Sequence, residues 1–206
     1  MNTINHYVGM FPISTGAPVE KPMAKFFFGF FAVMLLGFIA PQGRKRLMVL
    51  AAGFAAVTAW MVVHQFVLGH METHIAAYVE EAGTFFKEPD KIKAWGDNVR
   101  LITTAVIAGL VVAMAIVVAG VAKIRGFSLL LVLVPALMPV FFVLEYAGWL
   151  WFFGHNMHPW GAFTVKPFMP TVFGEGKVAQ FSTYSYPYWG YALLLIASAC
   201  LIPAAL

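Results

Sequence analysis

Charged residues are scarce in this chain, and their scarcity indicates its class. Asp, Glu, Lys and Arg make up 11% of the 206 residues, whereas 61% are hydrophobic. Soluble domains carry about 25% charged residues. A soluble core cannot bury this much apolar surface, so the lipid bilayer is the expected solvent. The small net charge of +4 also argues against nucleic acid as a partner.

Cysteine and the common catalytic motifs are nearly absent as well. The single cysteine, Cys200, excludes an intrachain disulfide and leaves one sulfur for any thiolate metal site. No glycine-rich phosphate loop, Ser/His/Asp elbow or Cys-x-x-Cys-His haem attachment is found. The first twenty residues also lack a basic region followed by an apolar run, so no cleavable signal peptide is expected.

Long apolar runs are what the sequence does contain. About 20 apolar residues are needed for a helix to cross a hydrocarbon core about 30 Å thick. The sequence therefore predicts an all-α integral membrane bundle, a single membrane domain over residues 1–206. Its five transmembrane helices are expected at residues 24–41, 47–69, 101–122, 127–153 and 189–206.

The short connections predict the orientation of these spans. Two tight turns, 41–46 and 123–126, are basic, and positive loops stay on the cytoplasmic side. The N-terminus and the connections 70–100 and 154–188 are then outside, and the C-terminus is inside. Eight of the nine acidic residues fall in outer segments. We expect a multi-pass protein of a bacterial inner membrane.

The two outer connections differ in character. In 70–100, the second helix is expected to continue beyond the membrane, Pro89 to begin a short helix, and Asp97 or Asn98 to cap the third span. Residues 154–188 lack a helical period and are rich in proline and aromatic residues. This pattern predicts a long ordered loop, which either lies in a headgroup-level aromatic belt or packs on a partner subunit.

All six histidines fall in or near the predicted outer face. His70 and His74 are four residues apart and share a helical face, and the second histidine group begins where the fourth span emerges. Imidazole together with thioether suits copper, whereas zinc more often recruits carboxylate or thiolate. The predicted metal ligands are His70, His74, His155, His158, Met71 and Met157. The alternative is that these residues are incidental at an amphipathic interface.

A second group lies within the predicted spans. Ionisable residues inside a membrane usually face the bundle interior, a cavity or a partner. His64 and Glu145 have similar predicted depths, so we expect them to form a buried polar pair. The alternative is a neutral Glu145 bonded to a neighbour such as Tyr146 or Thr58. Haem is disfavoured, because His64 is the one histidine clearly placed within a span.

These patterns predict a small integral-membrane subunit or accessory protein of a periplasm-facing redox complex, respiratory or copper-dependent. It would hold or deliver copper and contact other membrane subunits in a hetero-oligomer, and a periplasmic redox protein. One alternative is a purely structural subunit of a respiratory or photosynthetic assembly without metal. Another is a catalytic, metal-dependent membrane oxidoreductase. The sequence shows no complete active site, which favours a non-catalytic subunit.

Overall fold

The computed structural model describes residues 18–85, 87–157, 164–178 and 181–205, and most of these residues are helical. The chain divides into two compact units, which meet in sequence between residues 132 and 133.

The first unit is built from four α-helices and a short 3-10 turn. A π-helical turn, Val63–Val67, directly follows the second helix. The helices are α1 (Glu20–Ile39), α2 (Arg44–Val62), α3 (His70–Phe85) and α4 (Pro89–Lys123), and the 3-10 turn is Phe127–Leu129.

Glycines let α1 and α2 approach each other closely. A Cβ built on Gly37 would lie 2.3 Å from a terminal carbon of Leu50, and one on Gly53 would lie 2.8 Å from a γ-carbon of Val33. Lipid offers no hydrophobic drive for helix association, so membrane helices depend on such close contacts between small residues. The two helices therefore form a tightly packed hairpin.

Polar contacts join α3 to α4. The Trp95 indole N–H donates to the Tyr78 hydroxyl at 3.0 Å. Arg100 of α4 donates to both carboxylate oxygens of Glu72 at 2.8 and 2.7 Å, and also to Asp97. These bonds hold α3 against the N-terminal half of α4.

The second unit contains the end of a broken helix, a β-hairpin and a final helix. Its elements are α5 (Leu130–Ala136, which begins in the first unit), α6 (Met138–His155), β1 (Gly174–Val178), β2 (Phe181–Ser185) and α7 (Trp189–Ala205). The strands are antiparallel, with Gly174 opposite Ser185. The hairpin lies within the stretch predicted as a loop, which therefore has secondary structure of its own.

A sharp bend separates α5 from α6. The segment Phe127–Ala136 and α6 are bent by 56°. Pro135 lies inside α5 and Pro139 near the start of α6, and proline removes backbone donors from a helix. The Ser198 hydroxyl of α7 donates to the Ala136 carbonyl at the bend. The Ala136 carbonyl, which lies at the bend, thus has a hydrogen-bond donor within the unit.

The predicted membrane character is supported, but the predicted five spans are not confirmed. Among the described residues, three helices are long and apolar enough to cross a membrane: α1, α2 with its π-helical turn, and α4. The bent segment from Phe127 to His155 makes a fourth if it counts as one span. The final helix is apolar but shorter than the others.

Two predicted boundaries differ from the structure. The third span does not begin at a cap near Asp97, because α4 is continuous from Pro89 to Lys123. The second helix does not continue into residues 70–85, because it widens into the π-helical turn and then breaks at Gly69, whose φ is +69°. A positive φ ends a right-handed helix and is cheapest for glycine.

Candidate functional site

The candidate site forms where α2 ends and α3 begins. In the π-helical turn, the Leu68 N–H donates to the Val63 carbonyl at 2.9 Å, a bond across five residues rather than four. Such turns within helices occur frequently at functional sites. Gly69, with its positive φ, then interrupts the helix, and His70 begins α3.

This break brings two imidazole rings together. The rings of His64 and His70 stack with centroids 4.0 Å apart and planes 23° from parallel. On an unbroken α-helix, residues six apart would be separated by about 9 Å along the axis and about 120° around it. The pairing is therefore a product of the π-helical turn and of Gly69.

A lysine from α1 completes the cluster. The Lys25 Nζ lies 2.5 Å from His64 Nε2, and it is also 5.2 Å from the centroid of the Phe26 ring. Phe26 meets His64 edge-on at 5.7 Å. We call Lys25, His64 and His70 the basic cluster. Its aromatic surroundings and its lysine make it a partly desolvated group of nitrogen donors.

A buried amide lies next to the basic cluster in sequence. Gln65 is 1% exposed, and its side-chain nitrogen donates to the Pro22 carbonyl of α1 at 3.4 Å. Its side-chain oxygen has no hydrogen-bond partner among the described residues. Burying a polar group costs free energy unless the group is hydrogen-bonded. The unsatisfied oxygen of Gln65 therefore makes this end of the hairpin unusually polar for two apolar helices.

The basic cluster lies at the opposite end of the α1–α2 hairpin from the basic turn. At that turn, Arg46 donates to the carbonyls of Phe38 and Ala40 and so satisfies the C-terminal end of α1. Positive turns favour the cytoplasmic side. If the basic turn is inside, as predicted, the basic cluster faces outward.

His74 and Glu72, also on α3, have other partners. His74 Nε2 lies 3.1 Å from the Pro18 carbonyl, to which it donates. Burial lowers the pKa of His74, the bond to Pro18 opposes that shift, and the Lys21 charge adds to it. Hydrogen bonding to Arg100 lowers the pKa of Glu72. His74 therefore favours its neutral form, with one ring nitrogen occupied by the backbone.

The remaining predicted ligands are spread over the chain. Met71 is buried in α3, on the helix face that also carries Ile75. His155, in the second unit, donates from Nδ1 to the Trp151 carbonyl at 2.8 Å and stacks on the Trp151 ring at 4.5 Å. Met157 follows α6 in the same unit, and His158 lies outside the described residues. Their joint role as metal ligands stays a prediction.

The predicted His64–Glu145 pair spans the two units. His64 contacts Lys25 and His70 in the first unit, whereas Glu145 lies exposed on α6 in the second. The pair stays a prediction. Within the described ranges, no group of three or more His, Cys, Asp or Glu side chains is arranged to hold a metal ion.

Lys25 is the residue that sequence reasoning missed. One signal was available: Lys21 and Lys25 precede an apolar run at an end predicted to be outside, where the positive-inside rule disfavours lysine. A lysine placed against that rule suggests a specific contact, and Lys25 contacts His64. Comparisons of the chain with protein-family models, curated proteins and solved structures gave no match.

Proposed function

We propose that this protein is a small integral-membrane subunit or accessory protein of a periplasm-facing redox complex, and that it holds copper weakly at His64 and His70. The observation that carries the proposal is the contact between these two imidazoles at the end of the α1–α2 hairpin. Imidazole binds copper in either oxidation state.

The geometry suits a metal that binds and leaves. Metal–imidazole bonds are about 2 Å long, so two ring nitrogens about 4 Å apart can share one ion. In the stack the ring faces meet, whereas the nitrogen lone pairs lie in the ring planes. His70 is exposed, so its ring has room to turn toward a shared ion. Binding thus requires a ring rotation, which favours exchange over permanent retention.

Lys25 weakens copper binding in this proposal. Its Nζ occupies the Nε2 side of His64, and a positive charge there opposes the approach of a cation. The same Nζ lies 3.4 Å from His64 Nδ1, so copper must displace the lysine to reach either ring nitrogen. A site with such a competitor is suited to delivery rather than to storage.

The test is copper loading of the purified full chain in detergent, with Cu(I) affinity measured against a chelator of known strength. We expect about one copper per chain, and a fall in affinity of about tenfold or more in both His64→Ala and His70→Ala. Lys25→Gln should bind copper more tightly than the unmodified chain. His155→Ala, in the second unit, is the matched control and should bind as the unmodified chain does.

A chain that takes up no stoichiometric copper would overturn the copper proposal. Loss of binding in His155→Ala with retention in His64→Ala would instead favour the ligand set predicted from sequence. The second candidate function is a structural subunit without metal. It is favoured by α7, an apolar helix with most of its large side chains exposed, and it would be supported by copper-free protein that copurifies with other membrane subunits.

A further inference from the structure

The second unit contains two adjoining cavities, one between α6, the hairpin and the start of α7, and one along the first turns of α7. The first has a volume of about 260 Å³ and the second about 420 Å³. Three residues, Pro187, Tyr188 and Tyr191, line both cavities. A ligand with two chemically different parts could therefore occupy both at once.

Aromatic rings form most of the wall of the smaller cavity. Phe142 and Tyr146 are nearly parallel, at 8°, with centroids 6.2 Å apart. Tyr191 lies 5.6 Å from Phe142 and 6.3 Å from Phe173. Aromatic rings pair with one another in offset-stacked and edge-to-face arrangements. A flat ring is the shape that such walls recognise.

A chain of hydrogen bonds fixes the polarity of this cavity. The Ser185 hydroxyl donates its one proton to the Val172 carbonyl at 2.8 Å. Because that proton is used, the Tyr146 hydroxyl must donate in its 3.0 Å bond to Ser185. The Tyr146 oxygen then keeps free lone pairs but no free proton. It can accept a hydrogen bond from a ligand and cannot donate one.

The larger cavity is an open apolar groove along the first turns of α7. Trp189, Ala192 and Leu195 line it beside the shared residues. Its helix is apolar throughout, and Leu195 remains 46% exposed. A groove of this kind on a membrane helix accommodates a hydrocarbon chain.

We propose that the two cavities together bind a membrane-soluble hydroquinone, with its ring among the aromatic side chains and its isoprenoid tail in the groove. A hydroquinone hydroxyl donates to the Tyr146 oxygen, whereas the carbonyl of the oxidised quinone accepts only and finds no donor there. The bond to Tyr146 therefore favours the reduced form, whereas the hydroxyls of Tyr186, Tyr188 and Tyr191, which also line the smaller cavity, can donate or accept and so serve both forms alike. This inference is independent of the copper proposal, which concerns the other unit.

The test is isothermal titration calorimetry of the purified full chain in detergent, under argon, with a short-chain ubiquinol and with its oxidised form. We expect the reduced form to bind between about twofold and about tenfold more tightly, the effect of one neutral hydrogen bond. The ratio of the two affinities within one protein sample is insensitive to a partly unfolded fraction.

Two variants report on the direction of the Tyr146 hydroxyl. In Ser185→Ala the tyrosine proton is released, so the preference should shift toward the oxidised form. In Tyr146→Phe the oxygen is gone, so both forms should bind equally. Tyr184→Phe is the control, because its hydroxyl bonds Glu175 and does not line either cavity. It should keep the unmodified preference.

Equal affinity for the two forms in the unmodified chain would overturn the proposal, and so would a preference that survives Tyr146→Phe. Displacement of both forms by a saturated phospholipid that lacks any ring would also overturn it. That outcome would identify the cavities as a site for an acyl chain only.

Discussion

The two units bury their residues to different extents. In the first unit each long helix carries a continuous buried stripe; in α1 it includes Met23, Phe26 and Met34. In α6 of the second unit, the buried residues are Pro139 and Gly154, and large side chains such as Leu144 remain exposed. The first unit is thus stabilised by side-chain packing. The second is stabilised by backbone contacts and aromatic pairs, and its large apolar side chains remain exposed.

The close contacts at glycine also differ between the two units. In the first unit, glycines face side chains, as Gly53 faces Val33. In the second, Gly154 faces backbone: its carbonyl accepts from the Phe168 N–H at 3.2 Å, and an added Cβ would lie 1.8 Å from the Phe168 oxygen. Side chains can relax around an added methyl group, but a hydrogen-bonded backbone cannot do so locally.

The largest effect is therefore expected in the second unit, from Gly154→Ala. The added methyl group should displace residues 164–170 from α6 and cost about 3 kcal/mol, at the upper end for overpacking. Hydrogen exchange followed by mass spectrometry should show faster exchange in residues 164–178, with α1 and α2 unchanged.

Gly148→Ala, in the same helix, is the matched control. Nothing lies within 4 Å of its added Cβ, so it should stabilise the helix by up to about 1 kcal/mol. If Gly154→Ala accelerated hydrogen exchange equally throughout the chain, the two units would unfold together. The claim that they are stabilised separately, by different kinds of contact, would then be wrong.

A smaller effect is expected in the first unit, from Gly53→Ala. The new methyl group would meet both γ-carbons of Val33, at 2.8 and 2.9 Å, and the χ1 angle of valine is restricted in helices. We expect a loss of about 1–3 kcal/mol, measured as a lower melting temperature in detergent. Gly109→Ala, with open space around its Cβ, should not destabilise; a loss equal to that of Gly53→Ala would show that packing against Val33 is not the cause.

The smallest effect concerns Tyr78. Burial raises the pKa of its hydroxyl, the Trp95 bond opposes that shift, and the Glu81 charge adds to it. A raised pKa in the folded state means a stabilising contribution that is full below about pH 10, the unfolded value, and is lost as pH rises through the folded value. Tyr78→Phe should cost about 1 kcal/mol at pH 8.

This difference between Tyr78→Phe and the unmodified chain should shrink as the pH rises above about 10. Melting temperatures recorded from pH 8 to pH 11 provide the measurement. Tyr184→Phe, at an exposed hairpin position, should show no such convergence. A constant difference across this pH range would contradict a perturbed Tyr78.

Much of the helical architecture could be predicted from apolar runs, because a helix that crosses lipid needs a length that composition reveals. The start of a helix at Pro89 was also predicted, from the preference of proline for the first helical position, but that helix was expected to be short and instead continues to Lys123. The hairpin at 174–185 was not, because its strands, such as Gly174–Val178, lack a clear two-residue hydrophobic alternation.

The sequence by itself determined that this is a helical membrane protein with a basic turn at one end of its first hairpin and histidines toward the other, because these are properties of composition and order along the chain. Only the tertiary structure decided which histidines meet. His64 and His70 come together because a π-helical turn and a positive φ at Gly69 break the helix between them, and Lys25 joins them from α1. Spacing on an ideal helix instead separates His64 from His70 by about 9 Å along the axis, since it assumes a continuous helix where this chain breaks at Gly69.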